Sequence, residues 1–199
     1  MSYVNRVVVF VSGSNGSLCG NPEVLDDGTL CKDLLKRLEE VVAVYWECTR
    51  PQCIRDLKGF SVFLSGGGRR NGQGESVLVC DLMKQWLLCE QVPESCIHID
   101  NSFLTGDAAS VRALWRYMQR YECVEKTMVY IVAQAHHALL LENLLNFISQ
   151  GKCLNTIRGC RYGNLWSMSL GVLKLFSWYA EDIRTKLFQS LRSRNFLRG

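Results

Sequence analysis

The sequence predicts an α/β sandwich built on a mostly parallel sheet of about five strands. Three observations carry that prediction. Short β-branched runs such as Val7–Val11 and Met128–Val132 are apolar at every position, as strands covered on both faces must be. Amphipathic helical segments separate these runs. Polar or glycine-rich stretches follow the runs, at the edge where parallel sheets hold their ligands.

The first strand is Arg6–Val11, and Ser12-Gly13-Ser14-Asn15-Gly16-Ser17 ends it. After Asp26-Asp27-Gly28, the segment Thr29–Tyr45 places Leu30, Leu34, Leu35, Leu38, Val41 and Val42 at helical spacing, with Lys32, Lys36, Arg37 and Glu39 between them. Pro51 interrupts any continuation, and Phe60–Leu64 forms the second strand. That strand breaks into Ser65-Gly66-Gly67-Gly68-Arg69-Arg70, and Glu75 then opens a helix to about Glu90, with Val79, Leu82, Met83, Trp86 and Leu87 on one face. Val92-Pro93 closes it.

Cys96–Ile99 reads as a short strand and Asp100–Asp107 as a polar loop. The helix Ala108–Tyr121 follows, with Thr105 or Asp107 as its cap. Met128–Ala133 is the clearest later strand; Gln134-Ala135-His136-His137 leads from it into a leucine-rich helix from Ala138 to about Gln150. A last strand falls within Leu154–Tyr162. From Leu165 onward the pattern is a helical tail, so the chain divides into an α/β domain, 1–163, and a C-terminal helical extension, 164–199.

Composition narrows the function classes. A chain of 199 residues with 48% hydrophobic and 21% charged residues is ordinary for a globular domain and leaves no tract for disorder. A net charge of +4 helps an anionic ligand but falls short of the basic stripe that specific nucleic-acid binding needs. Much of the excess sits at Arg184, Lys186, Arg192, Arg194 and Arg198, which reads either as a solvated helix face or as a peripheral membrane contact. Ten cysteines without paired C-x-x-C spacing give a zinc site little support, and the missing signal peptide points to a reducing, cytoplasmic setting. Ser167, Ser169, Gly171 and Lys174 interrupt Leu165–Ala180, so no transmembrane segment is expected.

In a parallel sheet, four polar loops converge on one edge: Ser12–Asn15, Ser65–Glu75, Asn101–Asp107 and Gln134–His137. Glycines at Gly13, Gly66 and Gly67 allow close backbone approach to a ligand, and Arg69 adds a charge-assisted donor. The stretch lacks both the Lys-Ser/Thr ending of a phosphate loop and the dinucleotide-binding G-x-G-x-x-G context. Glu75 is either a proton acceptor or a first-turn acid that complements a helix dipole. Ser102 and Thr105 are ligand hydroxyls or local turn and capping groups. Of His136 and His137, adjacent in extended backbone, only one faces a site; His98, within a strand, is structural. Asp107, His136 and His137 are too sparse a set for a metal. No G-x-S-x-G elbow places a nucleophilic serine.

The order of these motifs resembles the YdcF/SanA/ElyC-like family, the domain of unknown function 218, over roughly Val7 to Arg161. The resemblance runs through Gly28 to Arg37, Ser65-Gly66-Gly67 with Glu75, Val92-Pro93, Ser102 with Thr105, and a strand ending before His137. It implies a Rossmann-like three-layer α/β/α sandwich whose polar site uses Ser65, Gly66, Gly67, Glu75, Ser102, Thr105 and His137. Two departures stand out. The family's Thr-x-Glu-Asn pattern becomes Thr105-Gly106-Asp107-Ala108, and the arginine that often follows its histidine is replaced within Ala138-Leu139-Leu140. Many relatives carry an N-terminal membrane anchor, whereas this chain begins almost at its first strand and so resembles a soluble form.

The functional expectation is a soluble domain that binds a small anionic or nucleotide-like ligand, adenosyl compounds included. The ligand sits at the carboxyl edge of the sheet, where Glu75 and His137 do hydrolase or transferase chemistry. Ser12, Gly13, Ser65, Gly66, Gly67, Arg69, Ser102, Thr105, Asp107 and His136 hold it. The different-class alternative is a noncatalytic interaction or scaffold protein that works through the C-terminal helical tail.

Overall fold

A computed structural model of the chain describes residues 4–13, 24, 25, 27–50, 59–66, 68–70, 76–100, 107–120, 124–133 and 135–157, with backbone only at 68–70, 76, 77, 135, 136, 156 and 157. These all fall in the first of two units, Met1–Tyr162; the second, Gly163–Gly199, and with it the expected helical tail, lies outside the described residues.

Five strands form one all-parallel sheet: β1 (Arg6–Ser12), β2 (Gly59–Ser65), then β5 (Ile97–Asp100), β6 (Thr127–Val132) and β7 (Leu154–Ile157). Their spatial order is β5-β2-β1-β6-β7, so the order reverses between β1 and β6. Helices α1 (Lys32–Thr49), α2 (Val79–Cys89), α3 (Asp107–Met118) and α4 (Ala135–Ser149) make the crossovers. This is a Rossmann-like α/β arrangement.

Alternation along the strands sorts the side chains. Val7, Val9, Val11, Val62, Leu64, Ile97 and Val132 pack with Leu34, Leu38, Val41 and Val44 of α1 and with Val79, Met83 and Leu87 of α2. The opposite face carries Val8, Phe10, Ser61, Phe63, Val129 and Ile131, all buried, and Ser65 of that face bonds to Ser110 of α3. Helices α3 and α4 pack against each other there. Both faces are covered, which is why β1 reads as an unbroken apolar run.

Register aligns the carboxyl ends. Ser12 pairs with Ser65, and Ser65 pairs with Asp100, which makes a row of three polar side chains across β1, β2 and β5. By strand alternation, the row faces α3.

The helix expected from Glu75 begins later. Gly68–Arg70 (β3) and Ser76–Leu78 (β4) form an antiparallel hairpin, and α2 starts at Val79. Strand pairing takes up the backbone groups of Ser76–Leu78, so the glycine stretch leads into a hairpin rather than a helix N-terminus. Helix α4 begins at Ala135, three residues before the expected Ala138. His136 and His137 therefore lie in a helical first turn, about 100° apart.

Two glycines hold the sheet's upper edge. The Gly13 N–H donates to the Ser65 carbonyl at 2.6 Å. A Cβ at Gly13 would stand 3.1 Å from Gly66 Cα and 3.2 Å from both the Ser65 carbonyl oxygen and Val79 Cγ1. At Gly66 it would stand 3.3 Å from Val79 Cβ and 3.4 Å from the Cys80 nitrogen. Gly13→Ala and Gly66→Ala should each lower the urea-derived unfolding free energy by about 1–3 kcal/mol, Gly13→Ala by more because fixed backbone atoms crowd it from two sides.

His98 titrates with the fold. Its ring lies 4.6 Å from that of Tyr117, and its pKa is depressed from 6.5, by burial first and then by the charge of Arg120. The unfolded chain binds this proton more readily, so the stability contribution is intact above the unfolded value and is lost as pH falls through the lower folded value. Urea midpoints recorded between about pH 7 and 5 should drop less steeply for His98→Phe, which keeps a ring against Tyr117 but cannot be protonated.

Candidate functional site

The first turn of α3 organises the polar groups at the carboxyl edge. Asp107 and Ser110 lie three residues apart on this helix and so share a face. Asp107 reaches α4, where its Oδ1 lies 2.6 Å from His137 Nε2. Ser110 reaches β2, where its Oγ lies 2.8 Å from Ser65 Oγ.

Ser65 extends the chain of contacts to the neighbouring strand. Its Oγ is 3.4 Å from Asp100 Oδ2. A single hydroxyl proton serves one acceptor, so Ser65 donates to Ser110 at 2.8 Å and the longer approach to Asp100 is the alternative use of the same proton. Ser12 ends the row, and its carbonyl accepts a 2.9 Å hydrogen bond from Arg37 Nη1. Arg37 is fully buried on α1, so a guanidinium charge lies directly behind the end of β1.

His137 is the chemically distinctive member. Its side chain is 3% exposed against 21% for Asp107. A carboxylate beside Nε2 keeps the proton on that nitrogen, which leaves Nδ1 of the neutral ring as a lone-pair acceptor. Nδ1 is buried and has no hydrogen-bond partner among the described residues. A buried acceptor left this way costs about 1–3 kcal/mol, which a ligand hydroxyl or a water molecule would offset. The result is a fixed ring with one nitrogen engaged and the other unpaired among the described residues.

Of the residues that the sequence singles out, Ser12, Gly13, Ser65, Gly66, Asp107 and His137 all lie at this carboxyl edge. The Gly13 N–H is committed to the Ser65 carbonyl, so that amide serves the fold rather than an anion. Gly67, Glu75, Ser102 and Thr105 lie outside the described residues, as do the side chains of Arg69 and His136. Two participants were not singled out by sequence, Asp100 and Ser110, and Arg37 was marked only as the end of the Gly28–Arg37 stretch of the family resemblance. Asp100 was assigned to a loop but ends β5, and Ser110 is marked only by its spacing from Asp107. Nothing in the helical pattern around Arg37 distinguishes it from a solvated cation.

Cysteine chemistry does not belong to this edge. Cys80, in the first turn of α2, has its pKa pushed up to about 11, by burial first and then by the neighbouring Asp81 charge. No disulfide joins the six described cysteines. Among the described residues, no group of three or more His, Cys, Asp or Glu side chains could hold a metal ion, and no helix is long and apolar enough to cross a membrane. Comparisons with protein-family models, curated proteins and solved structures returned no match.

Alkylation of the native protein with iodoacetamide near pH 8, read by peptide mass mapping, should modify the exposed Cys89 and leave buried Cys80 and Cys153 unmodified until denaturant is added. Rapid native labelling of Cys80 would contradict its burial and raised pKa.

Proposed function

We infer that the carboxyl edge of the sheet binds a small anionic, nucleotide-like ligand and that His137, biased by Asp107, moves a proton there in hydrolase or transferase chemistry. One observation carries this reading: His137 is buried, tied to Asp107 through Nε2, and has no partner at Nδ1 among the described residues. General-base catalysis needs such a ring, held in one tautomer by a carboxylate.

The topology supports the same location. The strand order reverses between β1 and β6, and ligands of open α/β sheets bind beyond the strand ends at such a reversal. The amino-terminal turns of α3 and α4 and the charge of Arg37 favour an anionic group. Asp100 and Asp107 work against a bare anion beside them and suit ligand hydroxyls instead. A phosphate ester with free hydroxyls, such as a nucleotide or sugar phosphate, combines both needs.

The resemblance to the YdcF/SanA/ElyC-like family supports the same edge through Ser65, Gly66 and His137. Glu75, Gly67, Ser102, Thr105, Arg69 and His136 complete the proposed site on the strength of the sequence. A cytoplasmic setting, where phosphate esters circulate, belongs to the same proposal.

Differential scanning fluorimetry against inorganic phosphate, nucleotides, adenosyl compounds and sugar phosphates tests the binding. A member of this panel at 100 times its Kd should add about 2.7 kcal/mol of stability. For a chain of this size that is a rise of about 5–10 °C in Tm. With that compound as substrate, Asp107→Asn should lower turnover by about 10²-fold or more while keeping the thermal shift. A panel that leaves Tm unmoved, or an Asp107→Asn variant as fast as the parent, overturns the reading.

A further inference from the structure

We propose that the outer edge of β5 is a docking site for an extended peptide segment of a partner protein, one that carries acidic side chains at alternate positions and adds to the sheet beside β5. The groove shares Asp100 with the carboxyl edge but not His137 or Asp107, and it does not rest on the reading of that pair.

Strand β5 ends the sheet, and among the described residues its only strand neighbour is β2. Every second peptide unit of such a strand turns its N–H and C=O away from the sheet. All four residues of β5, Ile97–Asp100, line a cavity of about 530 Å³ that opens along this edge. Four residues in a strand span about 13 Å, enough to pair with a short extended segment.

The usual protections of an edge strand are turned inward here. Natural edges are blunted by proline, bulges or charges aimed along the edge. β5 contains no proline, its His98 ring lies against Tyr117, and its Asp100 carboxylate lies beside Ser65. Ile97 and Ile99 pack on the core of the other face. The polar side chains of β5 therefore lie on the α3 side, where His98 and Asp100 also line the groove.

The two walls differ in charge. Helix α3 contributes Arg116 and the turn that follows it contributes Arg120, both exposed. Neither forms an ion pair with any described residue. The charge of Arg120 reaches the strand, where it helps to hold the pKa of His98 down, second to burial. Helix α2 contributes Asp81 and Lys84, and the Lys84 ammonium is already held by Glu94 at 2.5 Å. One wall holds two arginines with Asp100 at its end, and on the other the Lys84–Glu94 pair leaves the charge of Asp81 uncompensated.

Side chains of an added strand alternate between these walls. Those facing α3 near Arg116 and Arg120 meet two arginines and suit carboxylates; those facing α2 meet the uncompensated charge of Asp81, which disfavours carboxylates, and suit apolar groups. The chain's own C-terminal sequence is basic from Arg184 onward, so its charge does not match the arginine wall. A separate acidic partner does.

Fluorescence anisotropy with the full-length chain and a labelled octapeptide of alternating Glu and Val tests this. Two isomeric peptides, N-methylated on every Glu or on every Val, separate strand addition from charge attraction, because only one set of N–H groups faces β5. The expected result is saturable binding of the parent peptide, with one methylated isomer at least about tenfold weaker and the other little changed, a difference of about 1.4 kcal/mol. An Arg116→Ala/Arg120→Ala variant with unchanged circular dichroism should bind at least about tenfold more weakly at low salt. Equal binding by both isomers, equal binding by the arginine variant, equal binding of an alternating Lys and Val peptide, or no saturable binding overturns the proposal.

Discussion

The Gly13 N–H reaches the Ser65 carbonyl at 2.6 Å because neither Gly13 nor Gly66 carries a side chain to hold β1, β2 and the first turn of α2 apart. That close approach fixes the upper edge of the sheet. Ser12, Ser65 and Asp100 then stand side by side in register, and Ser65 comes within reach of Ser110 on α3. The glycines act here through space rather than through unusual backbone angles. The positive-φ glycines of the described chain lie elsewhere, at Gly28 and Gly151.

The two faces of the sheet divide the work. The face toward α1 and α2 is packed with aliphatic side chains, and Arg37 is buried there with a hydrogen bond to the end of β1. The opposite face is apolar through Phe10, Phe63 and Ile131 and turns polar at its carboxyl end. There α3 makes both polar contacts, Asp107 with His137 and Ser110 with Ser65, so a shift of one helix would disturb both. A buried polar group needs a partner, and this helix supplies two from a single turn.

Strand periodicity made the fold legible. The continuous runs of β1 and β6 and the amphipathic spacing of α1 and α3 point to a covered parallel sheet without further help, because burial on both faces forces apolar residues at every position. The site was legible at its strand ends, where Ser12, Ser65 and His137 follow apolar runs, and at Asp107, which ends the polar loop before α3. Contacts made by tertiary register left no local mark: Asp100 pairs with Ser65 through strand alignment across 35 positions, and Ser110 meets Ser65 across 45. The hairpin of β3 and β4 was missed because its three-residue strands are too short for a periodicity of their own. Helix α4 starts early because Ala135 is a strong helix former, a preference that the strand-to-loop reading of Gln134–His137 ignored.

Asp100 belongs to both candidate surfaces. It ends β5 and lines the groove beside α3, and its carboxylate lies 3.4 Å from the Ser65 hydroxyl at the carboxyl edge. A chain added along β5 would approach the backbone that carries this carboxylate, and a ligand at the carboxyl edge would meet the serine beside it. Low dielectric inside the fold makes the Asp100 charge sensitive to either neighbour. The link is short and local: one strand residue, one hydroxyl, and the helix turn that holds His137 through Asp107. Among the hydrogen bonds of the described residues, Ser65 and Ser110 are the side chains that join Asp100 to the first turn of α3, which makes them one route by which the groove and the histidine could be coupled.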